Sequence, residues 1–315
     1  MNMQSHYVIL GAGQLGLAVM DELVARGASL KLINRSGKVN EALPEKVRLV
    51  AADITQPDQV ADVCVDADTV FFCAQPPYNQ WPELFPPLVK SVIEGIAQAG
   101  VKLVFASNLY MYGSTEGQVL HESLPYAAQT RKGQTRANVD RRLLEAHKQG
   151  QIQVTIGRAA DFYGPRVTNS AVGEMLFKAA LNGKTANLFG DIDLPHTYTY
   201  IRDFAQALVT LSEHEEAYGR AWHVPSAPTI TTRQFVQLLE AEVQQPVRVR
   251  TAGKLMMQMV GLFNPMARES VEMLYEFAEP FVVDHSRFEA AFGNGVTPHK
   301  NAIQETIAWY RTQNT

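Results

Sequence analysis

The sequence predicts an α/β protein: a doubly wound parallel sheet with a smaller α+β region on its C-terminal side. Three observations predict it. A strand-like run, Tyr7–Leu10, leads directly into Gly11-Ala12-Gly13-Gln14-Leu15-Gly16, and Leu15, Val19, Leu23 and Val24 then follow at helical spacing. Near-continuous apolar runs alternate with helical patterns through the first half of the chain. After Gly164-Pro165 that alternation gives way to short pieces rich in Gly, Asp, Pro and Thr.

The opening strand–turn–helix is the most specific of these. Its first glycine permits a tight turn, its second lets the backbone approach a pyrophosphate, and its third lets helix pack on strand. An anion placed there meets the free N–H groups and positive end of the helix. The turn therefore predicts dinucleotide binding through Gly11, Gly13, Gln14, Leu15 and Gly16, in a Rossmann arrangement. Further strand-like runs are Leu30–Ile33, Val47–Val50, Thr69–Phe72, Leu103–Ala106 and Val154–Ile156. Helical patterns cover Leu15–Ala25, Val60–Cys64, Leu88–Ala99 and Asn138–Lys148. Apolar strands with helices between them imply a parallel sheet covered on both faces, with right-handed crossovers.

Beyond that, helices are expected at Ala171–Leu181, Phe204–Leu211 and Phe235–Glu242, and strands at Trp222–Val224 and Val247–Arg250. The helix at Phe204 is expected to return to the main sheet. A Met-rich stretch over 255–263 reads as core or an adaptable pocket wall, and Ile303, Ile307 and Tyr310 give the chain an amphipathic final helix. The resulting division is a dinucleotide-binding domain over 1–165, joined by 197–226, interleaved with a substrate-binding region over 166–196 and 227–315.

Composition narrows the function. The 315 residues are 46% hydrophobic and 19% charged, with a net charge of −4, which fits a globular chain without a basic nucleic-acid footprint. The one dense basic run, Arg131-Lys132, Arg136 and Arg141-Arg142, reads as a solvated helix face. Cys64 and Cys73, the only cysteines, read as buried thiols rather than a disulfide. No leader-like start and no membrane-length apolar stretch is seen, so a soluble, cytoplasmic protein is expected. No His or Cys spacing suits a metal.

The dinucleotide itself is expected to be NADP(H), with NAD(H) as the alternative. The second strand ends Ile33-Asn34-Arg35-Ser36, with no carboxylate for the ribose hydroxyls and with Lys38 nearby. A guanidinium accepts a 2′-phosphate that an acid would repel. Asn34 and Arg35 are thus cofactor candidates. Asp53 either reaches the adenine amine, with Ile54 beside it, or shapes a turn ahead of Thr55 and Pro57. Ala74 and Gln75 follow the fourth strand, and Gln75-Pro76-Pro77-Tyr78 is expected to form a rigid cap near the nicotinamide.

Four further segments carry a resemblance. Phe105-Ala106-Ser107-Asn108-Leu109-Tyr110-Met111-Tyr112-Gly113 is similar to a strand-end "SS…VYG" segment, and Arg158–Pro165 to an "R…YGP" segment. Tyr200–Ala205 is similar to a "V-x-D-x-A" helix start, and Val282-Val283-Asp284 with Phe288 and Phe292-Gly293 to a C-terminal signature. In this order they resemble the extended short-chain dehydrogenase/reductase superfamily, its sugar epimerase and dehydratase group. The opening turn is one residue shorter than that family's GxxGxxG, as in an atypical branch. The resemblance implies hydride transfer at a nicotinamide and, as the family's habit, a homodimer.

Where the family carries a catalytic Ser or Thr, this chain has Asn108, preceded by Ser107. Where it carries Tyr-x-x-x-Lys, this chain has Lys132-Gly133-Gln134-Thr135-Arg136. Arg136 can hold a ribose but cannot give up a proton. A lysine ammonium works as acid or base near neutrality only where its pKa, ordinarily about 10.4, is driven down. Desolvation beside a second cation acts in that direction. The catalytic candidates are Lys132, Asn108 and Tyr110; the cofactor set gains Ser107 and Arg136. Asp161, Tyr163, Arg166, His196 and Tyr198 are candidates for a polar substrate wall. The expected function is an NADP(H)-dependent oxidoreductase or epimerase/dehydratase-like enzyme acting on a small polar, sugar-like molecule. The alternative is a non-catalytic NADP(H) sensor that has lost the proton relay.

Overall fold

A computed structural model describes residues 6–252 and 271–313; the Met-rich stretch over 255–263 lies outside them. In chain order the first elements are β1 (His6–Leu10), α1 (Gln14–Ala25), β2 (Ser29–Asn34), β3 (Val47–Ala51), α2 (Pro57–Cys64), β4 (Thr69–Phe72), α3 (Trp81–Ala99), β5 (Lys102–Ser107), α4 (Arg131–Lys148) and β6 (Gln153–Arg158). They are followed by β7 (Asp161–Tyr163), α5 (Glu174–Leu181), β8 (Ala186–Phe189), β9 (Pro195–His196), β10 (Tyr198–Tyr200), α6 (Ile201–Glu213) and β11 (Ala221–His223). The last are β12 (Ile230–Thr231), α7 (Thr232–Val243), β13 (Val249–Ala252), α8 (Ser286–Phe292) and α9 (His299–Thr312).

A seven-stranded sheet runs in the order β11-β6-β5-β4-β1-β2-β3. Pairings from β3 across to β6 are parallel, so the protein has the doubly wound α/β fold. The strand order reverses at β1, between β4 and β2, which is the switch point outside whose carboxyl ends ligands bind in such sheets. Val8, Leu10, Val70, Phe72, Leu103, Phe105, Val154 and Ile156 are buried in one core with Val89, Val92 and Ile96 of α3 and Val139 and Leu143 of α4. Strands with side chains buried on both faces explain the near-continuous apolar runs of the sequence.

The chain divides into two compact units. The first comprises 1–111, 132–158 and 204–222, and contains the large sheet and the Gly turn. The second comprises 112–131, 159–203 and 223–315. It is built on small sheets: β10 on β7, β12 on β9, and β13 on β8. Its aromatic core packs Tyr163, Tyr198 and Phe177 edge-on or tilted around Phe235 of α7, with centroids 4.9–6.3 Å away.

Two helices begin earlier than the sequence pattern suggests. The α3 helix starts at Trp81, not Leu88, and runs through Pro86 and Pro87. The two prolines fall in its second turn and cost it two N–H donors, which is why the apolar pattern becomes clear only beyond them. The α4 helix starts at Arg131, not Asn138. Gly133 and Thr135 are weak helix formers, but both are buried in this helix, so packing overrides propensity. The extension corrects the reading of the basic run as a wholly solvated face: Lys132 and Arg136 are buried, whereas Arg131, Arg141 and Arg142 are exposed. Cys64 is buried, Cys73 half-buried, and both are free thiols.

Candidate active site

The Gly turn is closed by backbone contacts. Gly11 has φ +112°, and an ideal Cβ on it would lie 2.6 Å from the Ala74 nitrogen. Ala74 in turn donates its N–H to the Leu10 carbonyl at 2.8 Å. A Cβ on Gly16 would collide with the Gly11 carbonyl oxygen. Gly13 differs: a Cβ there meets nothing within 4 Å. Gly13 is also the N-cap of α1, with no side-chain cap and no acidic residue in the first turn. The first N–H groups of α1, those of Gln14, Leu15 and Gly16, have no acceptor within the helix.

At the end of β2, Asn34 is committed to a turn: its Oδ1 accepts from Gly37 N–H at 2.6 Å and its Nδ2 donates to the Lys38 carbonyl at 2.8 Å. The Arg35 side chain is exposed and close enough to help hold the Asp53 carboxyl down. Asp53 mainly shapes its own turn. Its Oδ1 accepts from the Thr55 N–H at 3.1 Å and hydroxyl at 2.8 Å, and these bonds are the larger cause of its lowered pKa. Ile54 packs on the core and its carbonyl accepts from Ser91 Oγ at 2.9 Å.

Lys132, Arg136 and Asp140 stand at i, i+4 and i+8, so α4 presents them on one face, and all are buried. Arg136 is 4% exposed. Its guanidinium carbon lies 4.2 Å from the Trp81 ring centroid and 4.7 Å from that of Phe85. Its Nη2 donates to Gln75 Oε1 at 3.0 Å. Its Nε and Nη1 are buried and have no hydrogen-bond partner among the described residues. Burial pushes the Arg136 pKa down to about 10, against the opposing effect of Asp140, so the group stays charged at neutral pH. Lys132 is 1% exposed, with Nζ 4.5 Å from the Tyr78 ring centroid.

The Pro-Pro cap is braced by Trp81, whose Nε1 donates to the Pro76 carbonyl at 3.1 Å and whose ring meets Tyr78 edge-on at 5.0 Å. Tyr110 is half-buried and its ring also lies against Trp81, with centroids 6.0 Å apart. Asn108 Oδ1 accepts the Tyr110 N–H at 3.3 Å. Ser107 donates to Asp140 Oδ1 at 3.0 Å, and Asp140 Oδ2 also receives Arg158 Nε at 2.9 Å and Nη2 at 2.8 Å. The structure thus places Tyr110 and Arg136 against Trp81, Gln75 on Arg136, and Lys132 against the neighbouring Tyr78. Sequence reasoning missed Trp81, Phe85 and Asp140; the i, i+4, i+8 spacing on α4 was the available signal for Asp140.

In the second unit, His196 is buried, and its Nε2 lies 2.9 Å from Asp161 Oδ2. Its ring stacks on Phe277 at 4.9 Å and Phe281 at 4.8 Å. Tyr198 donates to or accepts from Thr232 at 2.7 Å. Tyr163 OH meets His299 Nδ1 at 3.0 Å, and His299 Nε2 meets the Pro228 carbonyl at 3.0 Å. A carbonyl only accepts, so Nε2 carries the proton and Tyr163 donates to Nδ1. The same logic at His223 puts the proton on Nδ1, facing the Asp284 carbonyl at 3.0 Å, with Tyr112 OH donating to Nε2 at 2.8 Å. Arg166 is half-buried at φ +66°, a left-handed backbone rare outside glycine. Among the described residues no group of His, Cys, Asp and Glu is placed to hold a metal ion, and no helix is long and apolar enough to cross a membrane.

A parallel sheet with a Gly turn at its switch point defines a Rossmann-type protein. The model of the NAD dependent epimerase/dehydratase family matches residues 7–224, and the chain belongs to that family. Among its relatives, a Bacillus subtilis (strain 168) protein named as an uncharacterized UDP-glucose epimerase, YtcB, is 25% identical over 223 residues, covering 67% of this chain and 69% of that one. The UDP-N-acetyl-alpha-D-glucosaminuronate decarboxylase of Bacillus cytotoxicus is 21% identical over 246 residues, or 72% and 76% of the two chains. The fold is similar to that of the UDP-glucuronic acid 4-epimerase of Bacillus cereus, solved with UDP-glucuronic acid and NAD. The TM-score is 0.79 at 17% identity, with 98% of this chain and 99% of that one covered.

Proposed function

We propose that this chain is an enzyme that transfers hydride between a nicotinamide dinucleotide, NADP(H) in preference to NAD(H), and a small polar, sugar-like substrate. The observation that carries this reading is the buried Arg136 guanidinium, whose Nε and Nη1 have no acceptor among the described residues, beside the Gly turn's neighbour Gln75. A buried unsatisfied donor costs about 1–3 kcal/mol, more for a charged group, and a ligand with acceptors removes that cost. The residues fit a dinucleotide in two further respects. Gly13 leaves open space over an uncapped helix start, where a pyrophosphate is stabilised. Arg35 supplies an exposed guanidinium at the end of β2 where a carboxylate would select NAD(H). Family membership supports hydride chemistry, and the nucleotide-sugar names of the relatives support a sugar-like substrate.

A bound nicotinamide supplies the hydride donor or acceptor. The chain's own residues do the rest. The α1 N–H groups of Gln14, Leu15 and Gly16 hold the pyrophosphate, Arg35 takes the 2′-phosphate, and Arg136 with Gln75 fixes the nicotinamide half. Ser107 contributes from the end of β5 and in turn steadies Asp140. Asn108 Nδ2 donates to the substrate oxygen, Lys132 Nζ carries its proton, and Tyr110 closes the site against Trp81. Arg136 binds and orients without moving a proton.

The cofactor part is tested by calorimetric titration with NADPH and NADH before and after Arg35→Ala. A charge-assisted phosphate contact contributes roughly 1.5–3 kcal/mol, or about 10- to 100-fold. The wild type is expected to prefer NADPH by that margin and the variant to lose the preference. Unchanged discrimination in Arg35→Ala overturns the phosphate role.

A further inference from the structure

We infer that the segment 274–281 is a pH-sensitive latch on β9, held shut while the buried Glu276 carboxyl carries its proton and loosened when that proton leaves. The inference concerns the second unit alone and stands apart from the dinucleotide reading.

The backbone fixes the segment first. Leu274–Phe277 form a 3-10 turn, and the chain then reaches β9, where Phe281 bridges His196. Asp191 N–H donates to the Phe277 carbonyl at 2.9 Å, Phe281 N–H to the Pro195 carbonyl at 2.8 Å, and Thr197 N–H to the Phe281 carbonyl at 2.8 Å. Ser114 Oγ and Thr115 N–H donate to the Glu279 carboxylate at 2.7 and 2.9 Å. The His196 ring stacks on Phe277 at 4.9 Å and on Phe281 at 4.8 Å. With its neighbours tied in this way, Glu276 cannot turn outward while the segment stays in place, and it is 2% exposed.

The surroundings of Glu276 are wrong for a charge. Its carboxyl makes no hydrogen bond among the described residues, and the one charged group acting on it there is Asp161. Asp161 Oδ2 is already engaged by His196 Nε2 at 2.9 Å. Tyr198, whose ring lies 4.6 Å from that of His196, is kept an uncharged phenol by its burial. A carboxylate out of water with no cation beside it is far costlier than the neutral acid, and a second negative charge near Asp161 adds repulsion. Burial foremost, and Asp161 after it, push the Glu276 carboxyl well above the usual carboxylate range.

The sign of the pH effect follows. Opening the latch carries Glu276 into water, where its pKa returns to about 4.3. Between that value and the raised one, opening releases one proton to water, so the closed state loses ground by up to about tenfold per pH unit as pH rises. Below the lower value no proton is exchanged on opening, and the latch is firmest. Asp161 and His196 are candidates for the substrate wall, so the same device sets how firmly that wall is held.

The test is native-state hydrogen exchange of the wild type and Glu276→Gln, read at the Asp191, Thr197 and Phe281 amides and corrected for the intrinsic rise of exchange with pH. Between about pH 5 and about pH 8, wild-type protection at these amides is expected to fall by about tenfold or more. Gln keeps the shape and cannot ionise, so in Glu276→Gln that fall is expected to vanish. A merely structural Glu276 would change protection alike at every pH and leave the slope in place. Protection in the wild type that does not fall with pH, or an equal slope in a folded Glu276→Gln, overturns the inference; in the second case the slope belongs to the His196–Asp161 pair. Should Glu276→Gln not fold, the carbon-13 shift of the wild-type Glu276 carboxyl decides. A protonated carboxyl at about pH 6, well above the ordinary range, is expected, and an ionised one overturns the inference.

Discussion

Asp140→Asn is expected to destabilise the protein by about 3–5 kcal/mol, the usual cost of breaking a buried ion pair from one side. Asp140 is fully buried, and so is its partner Arg158 at 1% exposure. The substitution keeps the volume but leaves the Arg158 charge without its carboxylate, and it removes the largest of the electrostatic influences that favour a protonated Arg136. Urea unfolding followed by circular dichroism measures the loss. The double replacement Asp140→Leu with Arg158→Met is expected to recover most of it, because well-packed apolar substitutes for a buried pair are often neutral. A loss below about 1 kcal/mol in Asp140→Asn would mean that this pair does not organise α4 against β5 and β6.

Gly16→Ala is expected to cost about 3 kcal/mol or more, at the upper end of overpacking effects. The added methyl meets the Gly11 carbonyl oxygen and the Ile9 side chain. The obstacle is backbone, which cannot swing aside as a long side chain would. Relief requires α1 to draw back from β1, which would open the turn proposed to bind pyrophosphate. Thermal melting and dinucleotide titration are expected to fail together. A variant as stable as the wild type would contradict the close packing of α1 on β1.

The fold was legible where period and punctuation agreed. Apolar runs from Tyr7 to Ile156 mark the strands of the large sheet because both of its faces are covered, so nearly every residue of a strand must be apolar. The start of α3 was hidden by Pro86 and Pro87, and that of α4 by Gly133, Thr135 and a charged run. In both, tertiary burial supplies what local propensity withholds. The small strands β9 and β12, at two residues each, are too short for any periodicity to show.

The candidate site was legible in part for a similar reason. Gly11, Gly13 and Gly16 announce themselves through local chain geometry. Lys132 and Arg136 became site candidates only through the resemblance, at the place of its Tyr-x-x-x-Lys, and nothing local indicated that they are buried. Their surroundings come from some fifty residues earlier, where Trp81 and Phe85 meet the Arg136 guanidinium and Tyr78 meets the Lys132 ammonium. Asn34 and Asp53 show the opposite case. Each stands at the expected end of a strand, yet most of its polar capacity closes its own turn. The proposed phosphate-facing role on that side falls to Arg35.

The central claim is that a dinucleotide lies over the Gly turn, and Gly13→Ala tests it most directly. A Cβ at Gly13 meets no protein atom within 4 Å, so the fold has little reason to object. The N-cap exchange itself costs no more than about 1 kcal/mol. Calorimetric titration with NADPH is expected to show one saturable site on the wild type. In Gly13→Ala the melting temperature is expected to hold to within a few degrees, while affinity falls about tenfold or more because the methyl occupies the approach of the pyrophosphate. Absence of binding to the wild type, or equal affinity in a folded Gly13→Ala, would contradict the claim.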